Sequence, residues 1–210
     1  MKTKDSKLLL KINGETVLQR SVNAFLNISD VDEVIVVARE KDIPAFSDIL
    51  TDERVSFVIG GETRQQSVIN AVDMIDDCEL IIIHDGARPL IKSVDIENTI
   101  RAAKENKAAA VGVFVKDTVK VVDKNGFVVS TPDRSTLFAV QTPQIFDFEL
   151  YKNAAKNARE KGLDFTDDCQ LVECFNQKVK TVAGSYSNIK ITTPDDIVLA
   201  ENILKNEGLI

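Results

Sequence analysis

The sequence has no tryptophan and only two tyrosines, and aromatic residues make up 6% of it. Any core must therefore be largely aliphatic. Cysteine is scarce: Cys78, Cys169 and Cys174 are an odd number with no Cys-x-x-Cys pair. That excludes a disulfide framework and any common zinc spacing, and the three read as reduced cytosolic thiols. Histidine occurs once, as His84. It has no evident orienting partner, so it reads as a packed structural residue and not a general base. Positive charge is in deficit: 26 Lys and Arg against 33 Asp and Glu give a net charge of −7. This argues against a nucleic-acid polymer or an acidic membrane as partner, while a local basic cluster could still serve a small anionic substrate. No run reaches transmembrane length, and "MKTKDSKLLLKING" is too short and too charged for a leader. A cytoplasmic location is expected. There is no linker, repeat or low-complexity segment.

What is present is a 210-residue chain with 44% hydrophobic residues, enough for a single domain spanning 1–210. Short apolar runs alternate with helical patterns. "EVIVVA" (33–38), "VSFVIG" (55–60), "LIIIHD" (80–85) and "AAAVGVFV" (108–115) read as buried strands. "TVLQRSVNAFLN", "IPAFSDIL", "RQQSVINAVDMI" and "VDIENTIRAAKEN" read as the helices between them. This alternation specifies an α/β fold, a mostly parallel sheet covered by helices on both sides.

The rhythm breaks at "DTVKVVDKNGFVVSTPDRS". Two β-rich runs meet at Asn125-Gly126, which predicts a type I′ hairpin. An isolated hairpin is marginal in water, so an arm over about 116–135 is expected to dock on a partner subunit. "LFAVQTPQIF" then reads as a strand ending at Thr142. "FDFELYKNAAKNAREKG" reads as a helix stopped by Gly162. "FTDDCQLVECF" reads as a helix capped by Thr166 or Asp167. "VKTVAG" and "NIKIT" read as short strands, and "TPDDIVLAENILKNEG" as a helix with Thr193 as cap and Pro194 at its first position.

In open α/β sheets ligands bind beyond the carboxyl ends of the strands, so the residues after each apolar run carry the information. "GGETRQQS" offers Gly60, Gly61, Arg64 and Ser67: exposed amides for a flat base or a phosphate, or a plain strand-to-helix turn. "HDGARP" offers Asp85, Gly86 and Arg88. Asp85 suits a metal or ribose hydroxyls and Arg88 a phosphate, the bland alternative being an Asp that caps its own turn. Lys190 is either an edge-strand charge or a residue aimed into a cleft. Lys7, Thr142 and Thr166 are weak signals singly. A nicotinamide dehydrogenase would need a Gly-x-Gly-x-x-Gly run after its first strand, and none exists.

Taken together and in order, "GGETRQQSV", "IIIHDGARP", Asp117-Thr118, Asp133-Arg134, "QTPQIF", "FTDD" and "NIKITTPDDI" resemble the 2-C-methyl-D-erythritol 4-phosphate cytidylyltransferases. The related ribitol-5-phosphate cytidylyltransferases match less well at "HDGARP" and "TTPDDI". The resemblance implies a Rossmann-like nucleotidyltransferase three-layer sandwich and a homodimer with interlocked β-hairpin arms. It implies transfer of CMP from CTP to the sugar phosphate with Mg²⁺. By position, Gly60, Gly61 and Ser67 would line a cytosine pocket, and Asp85 and Gly86 would meet the ribose and the metal. Arg88, Thr142, Thr166 and Lys190 would surround the methylerythritol phosphate. Thr118 and Arg134 would reach the partner's site. Lys7 and Lys190 would supply positive charge around the reacting phosphorus.

The family also opens with a strand and a glycine-rich loop, Ala-Ala-Gly-x-Gly-x-Arg-Met, followed by Pro-Lys-Gln. Here Met1 falls at the motif's Met and Lys7 at its Lys, with Ser6 and Leu8 replacing the flanking Pro and Gln. The expectation is therefore a chain short by on the order of twenty residues, whose sheet shows unpaired edges where a first strand belongs. Either the start is set late or the chain is a catalytically impaired, dimeric nucleotide-binding paralogue.

Overall fold

The computed structural model describes residues 6–208; Met1, matched above to the loop's Met, lies outside them. Strands β1 (Lys11–Ile12) and β2 (Glu15–Thr16) form a small antiparallel ribbon. Thr16 then starts α1 (Val17–Leu26) through a reciprocal capping box with Gln19. Its apolar stripe (Val17, Leu18, Val22, Phe25) is buried, as the spacing predicts. Next come β3 (Val34–Ala38), α2 (Ile43–Ser47) with Pro44 in its first turn, β4 (Val55–Ile59) and α3 (Arg64–Val72). Strand β5 (Leu80–Ile83), α4 (Ser93–Asn106) and β6 (Ala108–Phe114) continue the alternation.

The arm holds β7 (Val121–Val122) and β8 (Val128–Ser130). Its turn is not type I′. Only Gly126 has positive φ (+86°), and Asn125 does not. Asp123 sets this geometry: its carboxylate accepts from the Asn125 and Phe127 amides, and its backbone closes on Gly126 and Phe127. The outcome is a longer loop ending in a left-handed glycine.

Beyond the arm run β9 (Phe138–Asp147), α5 (Phe148–Glu160), α6 (Asp168–Glu173), β10 (Lys180–Ala183) and α7 (Asp195–Asn206). Strand β9 does not stop at Thr142. It passes through Pro143 because Ile145 and Phe146, fully buried, pair with β5 on one side and β6 on the other. It is antiparallel to both, while β5, β6 and β10 share one direction, so the four-stranded sheet β10-β6-β9-β5 is mixed, with β9 as its antiparallel strand. The reason is topological: β9 returns from a hairpin excursion and needs no crossover helix. Two smaller expectations also change. "NIKIT" is not a strand; Ile191 docks by one bond to the Ala87 carbonyl (2.8 Å). Pro194 is the N-cap of α7 and Thr193 does not cap it. Instead the Asp196 carboxylate reaches back to the amides of Thr192 and Thr193, both at 2.7 Å. The cap of α6 is Asp167, through the Gln170 amide.

Strands β3 and β4 pair in parallel as a separate two-stranded sheet. Among the described residues, β3 and β5 each keep one unpaired edge. These edges face each other across a cavity of about 740 Å³, lined by Val34–Val37 and Leu80–Ile83 and walled by Val22, Phe25, Val68 and Ala71. Asp30, Asp32, Asp76 and Asp77 lie at one end, and Asp85, Gly86, Arg64, Ser67 and Leu8 at the other.

Candidate functional site

The open end of that cavity is where the chemistry collects. Strand β5 delivers Asp85 just past its carboxyl end, in a turn closed by the Arg88 amide on the Asp85 carbonyl (2.9 Å). The Asp85 Oδ2 lies 2.9 Å from Lys190 Nζ and 3.4 Å from Arg88 Nε. Burial alone would raise the Asp85 carboxyl, but Lys190, Arg88 and Arg64 together hold it below the usual carboxylate range. So Asp85 is a carboxylate at neutral pH, held amid three cations. Lys190 is the most open of the three, its side chain 44% exposed.

Arg88 is anchored by Nη1 on the Asn188 carbonyl (2.8 Å). Its Nε is buried and faces the Asp85 carboxylate at 3.4 Å. Asn188 itself is fully buried and binds the Thr142 carbonyl and the Gln141 amide oxygen. It ties the Lys190 loop to β9.

His84 has partners that its sequence neighbours did not reveal. Its Nε2 faces the Arg88 carbonyl (3.1 Å) and its Nδ1 the Thr142 hydroxyl (3.1 Å). A carbonyl only accepts, so Nε2 carries the proton and Nδ1 accepts from Thr142. The Thr142 Oγ1 in turn accepts from the Asp85 amide (3.0 Å). Asp85, Thr142, His84 and Arg88 therefore form one closed loop of hydrogen bonds that fixes the turn. Burial pulls the imidazole down to about 4, which keeps this tautomer neutral. Thr142 is buried and its proton is spent on His84. Its hydroxyl holds the Asp85 backbone amide in place.

The glycine turn is also built tightly. Ser67 donates to the Thr63 carbonyl (2.8 Å) and accepts from the Gly61 amide (3.0 Å). A Cβ on Gly61 would lie 2.5 Å from Cβ of Gln66, so the turn admits no side chain there. Gly86 lies under α1, its carbonyl accepting from Ser21 Oγ (2.9 Å), and a Cβ there would sit 3.9 Å from the Leu8 side chain. Lys7, exposed in the short turn Lys7–Leu9, is next to that leucine. Thr166 is exposed at the start of α6.

Thr118 and Arg134 lie apart from this cluster, exposed on the arm. The Arg134 guanidinium bonds the Lys116 carbonyl within the arm (2.9 Å). Among the described residues no three His, Cys, Asp or Glu side chains converge into a self-sufficient metal cage. Asp85 stands as a single carboxylate. Magnesium commonly takes one or two carboxylates and completes its shell with substrate phosphates and water, so one carboxylate fits that arrangement.

The 2-C-methyl-D-erythritol 4-phosphate cytidylyltransferase family profile matches residues 1–206. The enzyme of that name from Caldanaerobacter subterraneus is 46% identical over 206 residues, covering 95% of this chain and 91% of its own. The one from Desulforamulus reducens is 42% identical, covering 99% and 92%. Among solved structures, 4-diphosphocytidyl-2C-methyl-D-erythritol synthase from Anaerococcus prevotii superposes with a TM-score of 0.87 at 36% identity, covering 93% of this chain and 88% of its own. The Thermus thermophilus cytidylyltransferase gives 0.81 at 31% identity, covering 95% and 93%.

Proposed function

This chain belongs to the 2-C-methyl-D-erythritol 4-phosphate cytidylyltransferase family, and from that membership we propose how its residues serve CMP transfer from CTP to the sugar phosphate. The products are pyrophosphate and 4-diphosphocytidyl-2-C-methyl-D-erythritol. The observation that carries the reading is the Asp85–Lys190–Arg88 cluster at the carboxyl end of β5. A phosphate oxygen of one substrate attacks the α-phosphorus of the other, so two polyanions must meet. Charge neutralisation and alignment are then the main catalytic tasks. No protein nucleophile is required.

Lys190 is placed to swing from Asp85 onto the reacting phosphate, since its ammonium is a mobile point charge on a flexible stem. Lys7 adds charge from the turn beside Gly86. Arg88, held by the Asn188 carbonyl and the Asp85 carboxylate, receives the sugar phosphate, and Thr166 supplies a hydroxyl from the start of α6. Gly60, Gly61 and Ser67 bind the cytosine, and Asp85 and Gly86 the ribose. Mg²⁺ would be held by Asp85 together with the nucleotide phosphates; when bound it supplies neutralisation of the triphosphate. The whole chain 1–210 acts as one cytoplasmic unit, and no helix among the described residues is long and apolar enough to cross a membrane.

The arm supports a homodimer. Val121, Val122, Phe127, Val128 and Val129 are 45–72% exposed on the hairpin, an apolar surface that a lone subunit leaves in water. Thr118 and Arg134 then act in the partner's site.

Pyrophosphate release from CTP in the presence of the sugar phosphate tests the assignment of roles. Lys190→Ala should lower kcat by roughly a hundredfold, the usual effect of deleting a preorganised charge. Arg88→Ala should chiefly raise KM for the sugar phosphate, because a fixed guanidinium acts in the ground state too. Near-normal turnover without Lys190 would remove it from the reaction.

A further inference from the structure

Away from the Asp85 cluster, the segment Thr63–Gln65 that follows the glycine turn is clasped to the segment 163–168 that carries Thr166. Thr63 Oγ1 donates to Asp164 (2.9 Å). The Gln65 amide donates to the Leu163 carbonyl and accepts from the Phe165 amide, both at 2.8 Å. Between them, Arg64 Nη2 lies 2.6 Å from Asp168 Oδ2. Asp168 is buried, 1% exposed. Its other oxygen accepts from the Tyr151 hydroxyl (2.7 Å). Its amide and that of Cys169 converge on Gln144 Oε1, at 3.1 and 3.0 Å. Gln144 lies in β9, two residues past Thr142. One buried group therefore joins the glycine turn, β9 and the start of α6.

A buried carboxylate so far from water needs a compensating charge, and the guanidinium of Arg64 is the cation paired with it. Burial works against the Arg64 charge, and Asp168, helped by Asp85, more than offsets it. The contact is short and buried on the Asp168 side, so the two charges meet with little water between them. Arg64 is also part-exposed and lines the cavity with Ser67, Asp85 and Gly86.

We propose that Arg64 is a positioning residue for CMP transfer, coupling the nucleotide and sugar-phosphate subsites through its buried ion pair with Asp168. The inference rests on the cytidylyltransferase reading. The glycine turn sets where the nucleotide lies, the α6 start sets where Thr166 lies, and Arg64 fixes the distance between them. Loss of the pair loosens both subsites at once while leaving the reacting charges of Lys190 and Lys7 in place.

Initial-rate kinetics with both substrates varied provides the test. Arg64→Gln should raise KM for CTP and for the sugar phosphate by about tenfold each, with kcat changed less than about threefold. Arg64→Lys, which keeps the charge, should stay within about threefold of the unsubstituted protein in both KM values. Asp168→Asn should resemble Arg64→Gln, and the double variant should be no worse than either single one, since the two share one interaction. Should Asp168→Asn fail to fold, the Gln and Lys variants at part-exposed Arg64 still decide. A rise in only one KM, or a lowered melting temperature with both KM values intact, would overturn the coupling. Absence of CMP transfer in the unsubstituted protein would instead count against the functional reading itself.

Discussion

At the level of single residues, Asp85 and Arg88 were legible because their spacing and their place after an apolar run are local signals. Lys190, readable in the sequence as an edge-strand charge or a residue aimed into a cleft, lies 2.9 Å from Asp85. The supporting residues were not legible. Thr142 and His84 meet across 58 positions, and Asn188 and Arg88 across 100. No periodicity encodes such pairs, although Gln144 and Asn188 do lie inside stretches singled out for other reasons. The His84 loop of hydrogen bonds has a pH signature. Its imidazole is lowered from 6.5 to about 4, so the unfolded chain binds a proton first as the solution is acidified. Stability is full above pH 6.5 and falls as pH drops toward about 4. The loss should be on the order of 2 kcal/mol, reduced from the full shift because the ring is only partly buried. Denaturant titrations from pH 7 to pH 4 should show this slope flattened in His84→Gln, after other carboxylates are accounted for by difference. An unchanged slope in that variant would show that His84 does not titrate in this window.

At the level of elements, the helices and most strands were readable because their apolar patterns are self-contained. Strand β9 runs past the end its sequence suggests: Pro143 looks like a stop, but burial of Ile145 and Phe146 between two strands outweighs the missing donor. "NIKIT" has strand composition without a strand partner, so its loop is held by Asp196 instead, whose carboxyl is lowered to about 2 by the Thr193 and Thr192 amides. The hairpin arm was found by composition, while its turn type was decided by one aspartate side chain. If Arg134 works in the partner's site, two inactive chains should complement each other. Arg134→Ala mixed with Lys190→Ala should regain activity after subunit exchange, because one hybrid site carries neither defect. A verified heterodimer that stays inactive would place Arg134 outside the partner's site.

For the molecule as a whole, the divided sheet dominates. Two strand edges face a cavity of about 740 Å³ with apolar walls, acidic residues at one end and the Asp85 cluster at the other. Unpaired backbone edges in such a space are costly. Both strands enter from the acidic end, so an added segment should lie parallel to them, basic at its start, with about five apolar residues next. A glycine-rich stretch after it would reach the Asp85 end and present amides to a triphosphate. A fusion of this form should fill the space between the β3 and β5 edges and raise the melting temperature. A fusion that leaves the melting temperature unchanged would show that the cavity is not strand-forming space.

The most direct measurement is product identification by mass after incubation with CTP, Mg²⁺ and an equimolar mixture of 2-C-methyl-D-erythritol 4-phosphate and ribitol 5-phosphate, with the chain alone and with the strand fusion. The expected result is 4-diphosphocytidyl-2-C-methyl-D-erythritol and pyrophosphate in equal amounts, with CDP-ribitol at least about a hundredfold lower, as a site shaped for one polyol phosphate should give. CDP-ribitol as the main product, or no cytidylylated product in either form, would contradict it.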